Sequence, residues 1–105
     1  MDGGFAERKK KNEEKWAHDE ALRFKIVARR NKLLGLWAAA EMGLTGEEAD
    51  AYARAVVAAD MHPSGSQGKV TADMAASRLP HSEADIQRKM HELEAQAREQ
   101  LQDGM

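Results

Sequence analysis

An all-α fold, a four-helix bundle with a long first helix, is what this 105-residue chain predicts, and three observations predict it. Good helix formers (Ala, Glu, Arg, Leu, Lys and Met) dominate the sequence. Nowhere is the period-two alternation of a strand sustained. Apolar residues return instead at three- and four-residue steps, in runs separated by turn and cap residues.

The first run is the longest. No proline precedes Pro63 and no glycine lies between Phe5 and Gly35, so nothing in that span stops helical propagation. The core of this helix is expected over about residues 17–42. Leu22, Ile26, Leu33, Leu36 or Trp37 and Ala40 form its inward side, widened by Phe24, Val27, Ala28, Leu34 and Ala38. Gly43 supplies the stop. Glu7 to Lys15, by contrast, is charged at every position but Asn12 and offers no apolar stripe to be held against a core.

Thr45-Gly46-Glu47-Glu48 has the form of a capping box and opens a second helix, about 46–61, with Ala49, Tyr52, Ala53, Val56, Val57 and Ala59 as packing groups. His62-Pro63-Ser64-Gly65-Ser66 is the densest turn chemistry in the chain and ends it. A third helix, about 67–78, carries Val70, Met74, Ala75 and Leu79, and Leu79-Pro80 closes it because the residue before proline avoids the helical region. Ser82-Glu83-Ala84-Asp85 caps a fourth, about 83–102, with Ile86, Met90, Leu93, Ala97 and Leu101 inward.

Lengths then become informative. At ~1.5 Å per residue a helix from Phe5 to Met42 reaches about 57 Å, against about 30 Å for the fourth helix. The bundle cannot cover all of the first one. Residues 1–16 are therefore read as a mobile, partly disordered N-terminal arm that becomes helical on a partner, and residues 17–105 as the bundle domain.

Composition narrows the function classes. With no Cys there is no disulfide, no thiolate nucleophile and no Cys-based zinc site. No apolar run approaches the roughly 20 residues of a membrane span, and Met1-Asp2-Gly3-Gly4 lacks signal-peptide grammar, which together predict a cytoplasmic protein without direct membrane insertion. Net charge is −2, but residues 1–32 carry ten Lys and Arg against six acids (+4) and residues 33–105 six against twelve (−6). Such polarity favours an oriented encounter with an acidic surface. Interruption of the basic segment by Glu7, Glu13, Glu14, Asp19 and Glu20 argues against nucleic acid.

No constellation for catalysis is visible. His18-Asp19-Glu20 cannot converge on one ion, since adjacent helical residues point about 100° apart, and Glu14 with His18 alone makes a poor site. Gly65-Ser66-Gln67-Gly68-Lys69 lacks P-loop spacing. The serines fall in turns, caps or helix faces rather than in a nucleophile elbow. Arg29-Arg30-Asn31-Lys32 reads as the rim of the packed face or as a phosphate-binding stripe. Trp37 reads as core, and Trp16 as either an anchor or a docking contact. Neither a metal nor a cofactor is expected.

Lys15-Trp16-Ala17-His18-Asp19-Glu20-Ala21-Leu22-Arg23-Phe24-Lys25, followed by Ala28-Arg29-Arg30-Asn31-Lys32-Leu33-Leu34-Gly35-Leu36-Trp37-Ala38-Ala39, resembles the signature of the zeta subunit family of alphaproteobacteria. The resemblance continues through Gly43-Leu44-Thr45-Gly46, Ala51-Tyr52-Ala53 and Val56-Val57-Ala58-Ala59-Asp60, and more loosely through Ile86-Gln87-Arg88-Lys89-Met90. It implies a non-enzymatic subunit that inhibits ATP hydrolysis by the F-type ATP synthase, its N-terminal arm entering an alpha/beta catalytic interface of the soluble head. The implied partners are the alpha, beta and gamma subunits, and the implied location is the inner face of the plasma membrane, reached through the synthase. The partner-binding residues would be Phe5, Arg8, Lys9, Lys10, Lys11, Glu14, Trp16 and His18. Two other readings are a nucleotide sensor using Arg29 and Arg30, and a helical adaptor without inhibitory activity.

Overall fold

The computed structural model describes residues 2–103, with side chains described for residues 19–102. Four α-helices follow one another: α1 (Asp2–Glu41), α2 (Gly46–Ala59), α3 (Gly65–Ala76) and α4 (Glu83–Asp103), and no strand occurs among the described residues. Each packs on its neighbours in a square, α1 against α2 and α4, α3 against α2 and α4, with a lighter diagonal contact between α1 and α3. Leu34 and Ala38 of α1, Val56 of α2, Val70 and Met74 of α3, and Ile86 and Leu93 of α4 meet in the buried core.

The expected inward positions of α2 and α4 are inward, with Ala53, Val56, Ala59, Ile86, Leu93 and Ala97 all buried. Helix α1 departs from expectation in two ways. Its backbone is helical from Asp2 rather than from about residue 17. Its buried stripe is centred on Asn31, Leu34, Gly35 and Ala38, while Phe24, Ala28 and Ala40 are exposed. Two neighbouring helices, α2 and α4, compete for the α1 surface and select a line between the two apolar edges read from the sequence. The expected mobility of residues 1–16 lies outside the residues whose side chains are described.

Helix ends explain the turns. At the end of α1, the Leu44 N–H donates to Ala39 O (2.8 Å) and the Gly43 N–H to Ala40 O (3.1 Å), with Gly43 at φ +79°, a Schellman motif that uses the glycine's freedom in the left-handed region. The capping box expected at Thr45–Glu48 does not form: Thr45 makes no side-chain cap bond. Gly46 enters α2 at φ +58°, and the chain turns into the helix there without the hydroxyl's help. Glu47 and Glu48 still lie in the first turn, where they complement the helix dipole. The box at α4 is realised in both directions, the Asp85 N–H donating to Ser82 Oγ (3.1 Å) and the Ser82 N–H to Asp85 Oδ2 (2.9 Å). Chiefly the bond from the Ser82 backbone, and then the Ser82 hydroxyl and Arg88, hold the Asp85 carboxyl below the usual carboxylate range.

The third helix starts two residues earlier than expected, at Gly65, and takes Ser66 out of the turn into a buried position. It also ends on a Schellman motif, Leu79 N–H to Met74 O and Arg78 N–H to Ala75 O, both 3.0 Å. Here the left-handed position is filled by Arg78 at φ +58°. That conformation costs an L-residue about 1–2 kcal/mol. Replacement Arg78→Gly is expected to stabilise the protein by about 0.5–1 kcal/mol, the relief being partly offset by glycine's larger unfolded-state entropy. Urea denaturation would show it as a higher midpoint with an unchanged slope, and an unchanged or lower midpoint would contradict it.

Candidate partner-binding site

A helix without breakers propagates cheaply once nucleated, each further residue adding one hydrogen bond, so the packed part of α1 serves as nucleus for the part that precedes it. Helix α4 runs antiparallel to α1: Trp37 of α1 lies beside Lys89 of α4, and Arg30 beside Glu94. Further down, Asp19, Leu22 and Arg23 of α1 and Arg98 of α4 line one shallow cleft. With 21 residues to the 40 of α1, α4 reaches only about half as far, so the α1 backbone continues past it for roughly 25 Å. The molecule measures 66 × 27 × 20 Å, and α1, about 60 Å long, sets the long axis.

The expected partner-binding residues Phe5, Arg8, Lys9, Lys10, Lys11, Glu14, Trp16 and His18 all belong to this projecting part of α1 by backbone, and their side chains lie outside the described residues. Arg29 and Arg30, the expected nucleotide ligands, are described. They diverge. Arg29 Nη1 donates to Gln100 Oε1 at 3.1 Å, near the end of α4. Arg30 points towards the core: its Nη1 reaches Glu94 Oε1 at 3.3 Å, and its Nε and Nη2 donate to Asn31 Oδ1 at 3.2 and 3.1 Å.

Asn31 corrects the reading of 29–32 as a rim. It is 1% exposed, and its Oδ1 also accepts a 3.0 Å bond from the buried Ser66 hydroxyl. This bond pins the first turn of α3 to α1 across the square. Asn31 lies three and seven residues before Leu34 and Ala38, the spacing that could have placed it on the buried face. Among the described residues no buried side-chain nitrogen or oxygen lacks a hydrogen-bond partner.

Two polar clusters went unread in the sequence because they join residues far apart along the chain. The Tyr52 hydroxyl donates to Asp73 Oδ2 at 2.7 Å, Lys69 Nζ lies 3.1 Å from the same carboxylate oxygen, and that ammonium sits 5.3 Å from the Tyr52 ring centre. Burial, and then the Asp73 carboxylate, push the phenol well above its ordinary range, so it stays a proton donor. At the opposite corner, half-buried Trp37 meets the His81 ring edge-on with centroids 5.1 Å apart, and His81 Nε2 lies 3.4 Å from Glu41. The first cluster ties α2 to α3, and the second ties α1 to the connection between α3 and α4. Among the described residues no group of three or more His, Asp or Glu side chains is placed to hold a metal ion, and no helix is long and apolar enough to cross a membrane.

The fold is that of a small helical bundle whose first helix is nearly twice as long as the fourth helix beside it. Within that class the chain belongs to a particular family, that of the ATPase inhibitor subunit zeta, whose sequence profile matches residues 1–100. Its fold is also similar to that of a protein solved in solution by NMR, with a TM-score of 0.69 at 41% identity, covering 80% of this chain and 99% of that one. No curated protein sequence matches the chain. The family accords with a regulatory, non-catalytic role.

Proposed function

We propose that the chain inhibits ATP hydrolysis by the F-type ATP synthase by lodging the projecting N-terminal part of α1 at an alpha/beta catalytic interface of the soluble head. One observation carries the reading: α1 outreaches its bundle by roughly 25 Å. Residues 1–16 are then the working arm, and residues 17–105 the body that holds it. Family membership supports an inhibitory role and association with the synthase. The separation of +4 in residues 1–32 from −6 in the remainder supports an oriented approach to an acidic surface, with Arg8, Lys9, Lys10 and Lys11 leading. Phe5 and Trp16 are the aromatic anchors of the arm, and Glu14 and His18 its polar contacts. The docked protein would sit at the inner face of the plasma membrane through the synthase.

Inhibition of this kind requires no chemistry from the chain. A catalytic interface must open and close in each cycle, and a helix wedged into it stabilises one of those states only. Because the arm is continuous with a helix that the bundle already nucleates, less ordering entropy is lost on docking than for an isolated peptide.

Steady-state ATP hydrolysis by the cognate soluble ATPase tests the proposal. The full-length chain is expected to inhibit, and removal of residues 1–16 to raise the half-inhibitory concentration by at least about a hundredfold, the scale on which losing several interface anchors acts. The bundle's thermal transition should survive the deletion, since all four helices of the bundle and the core that Leu34, Val56, Met74 and Ile86 form are kept. Equal inhibition by the two proteins would remove the arm from the mechanism.

A further inference from the structure

Helix α1 is not supported equally along its length. Joined by the short connection 42–45, α1 and α2 run antiparallel, with Ala53 and Val56 against Gly35 and Val57 in one cleft with Lys32. Helix α2 therefore ends, at Ala59, level with about residue 30 of α1. Helix α3 begins at the same level, where Ser66 bonds Asn31, and runs the other way, up to the bond between Asp73 and Tyr52. The turn between them, residues 60–64, is exposed at every position and offers α1 little cover. Below Asn31 the partner left to α1 is α4. It continues past the Arg30–Glu94 pair to Arg98, in one cleft with Asp19, Leu22 and Arg23, and to Gln100, bonded to Arg29. Above that level α1 is one helix of four, and below it one of two.

Burial changes at the same level. Between residues 30 and 41, α1 buries Asn31, Leu34, Gly35, Ala38 and Ala39, whereas between 19 and 29 it buries only Ile26. On α4, Ala97 is the one buried residue between 95 and 102, and Leu22, Val27 and Leu101 are half-buried. One isoleucine and one alanine, edged by three half-covered side chains, make a thin seam. Its cross-helix bond, Arg29 to Gln100, is exposed to competing water, while the level above is fastened by the partly buried Arg30–Glu94 pair and the buried Asn31–Ser66 bond. Segments with few buried apolar contacts and exposed hydrogen bonds open at lower cost than the core.

We propose that residues 19–29 of α1 and 95–102 of α4 form a two-helix neck that opens as a unit while the four-helix body stays folded, and that α4 positions the arm through this neck. Neither half has a second helix to hold it, so parting the seam releases both. Closed, the neck carries the helix of the body onward and fixes the direction in which α1 leaves. Open, it removes the ordered turns on which the helix beyond is propagated, and a charged helix of this kind is marginal without them. The opening itself is independent of the inhibitory reading above, and its bearing on the arm rests on that reading. A closed neck favours inhibition, because less of α1 is then left to be ordered on docking.

Amide hydrogen exchange of the full-length chain, read residue by residue by NMR, tests the neck. Residues 19–29 and 95–102 are expected to exchange at least about tenfold faster than Leu34, Ala38, Val56 and Ile86, with a weaker urea dependence because a smaller surface opens. Ala97→Asp, which drives a charge into the seam, should speed exchange in both segments by a further tenfold or so and leave a cooperative thermal transition of the body. Gln96→Asp, the same charge on the exposed side of α4, should alter neither. Against the cognate soluble ATPase, Ala97→Asp is expected to raise the half-inhibitory concentration about three- to tenfold, short of the loss on removing residues 1–16. Exchange of residues 19–29 at the rate of the core overturns the neck. So does an Ala97→Asp protein that loosens only residues 95–102, which would be fraying of α4 alone, or one that unfolds throughout. A looser neck at unaltered potency overturns its part in placing the arm. Failure of the parent to inhibit removes the inhibitory reading and that part with it, while exchange still decides the neck.

Discussion

Gly35→Leu is expected to unfold the bundle at physiological temperature, and Gly35→Ala to lower its thermal midpoint by about 5–10 °C. Alanine in a helix interior is favoured over glycine by about 0.8–1.0 kcal/mol, so a sequence-based reading would expect the opposite sign for the second change. Packing reverses it. A Cβ at position 35 would stand 2.6 Å from Ala53 Cα, with Ala53 Cβ and Val56 Cβ each at 3.2 Å. The nearest atom is backbone, so relief requires α2 to move as a body away from α1. Overpacking of this kind costs about 1–3 kcal/mol for small insertions, which outweighs the propensity gain. In a domain of this size each kcal/mol shifts the midpoint by roughly 4–8 °C. A leucine adds three further heavy atoms to the same gap and opens the buried layer of Leu34, Ala38 and Val56. Thermal unfolding followed by circular dichroism measures both variants. A Gly35→Ala midpoint at or above the parent's would show that the two helices do not need so close an approach.

The second large effect belongs to Asn31. Asn31→Leu keeps the approximate volume but removes the acceptor shared by Ser66 Oγ and two nitrogens of Arg30. Arg30 retains Glu94 and some water, whereas the Ser66 hydroxyl, on a residue 2% exposed, is left buried and unpaired. A stranded buried polar group costs about 1–3 kcal/mol, and with the loosened Arg30 the total is expected near 2–4 kcal/mol. Ser66→Ala alone strands nothing, since Asn31 keeps Arg30, and should cost only about 0.5–1.5 kcal/mol. The double variant should be more stable than the sum of the two losses by about 1 kcal/mol, because removing both partners leaves an apolar contact in place of an unmet bond. Urea denaturation of the four proteins gives the cycle directly. Strict additivity would mean that the Asn31–Ser66 bond does not couple α1 to α3.

These two residues also mark the boundary of what could be read in advance. Gly35 sits in the middle of a helical run, where it looks like a mild defect, and only the approach of Ala53 turns it into a requirement. Asn31 stands among Arg29, Arg30 and Lys32, and the local company of cations argued for a solvated rim. Its burial depends on the direction from which α2 and α3 arrive. The Thr45 box failed and the Ser82 box formed although both have the same local pattern. The backbone of Gly46, at φ +58°, makes the difference, and no side-chain pattern announces it. Phe24 was read on the packed side of α1 and is on that side, yet it is exposed because α2 ends at Ala59 before reaching it.

The amino-acid sequence alone determined the helical class, the number of helices, most of their limits to within two residues, the inward positions of α2 and α4, and the mismatch in length that leaves part of α1 outside the bundle. Those properties follow from propensity, caps and periodicity, which act over a few residues. Only the tertiary structure decided which line along α1 is buried, that Asn31 and Ser66 share a hydrogen bond, that Tyr52, Lys69 and Asp73 form one cluster, and that the covered face runs out at Phe24. Each of those depends on where a second helix comes to rest, and that position is settled by the joint packing of all four helices rather than by any one of them.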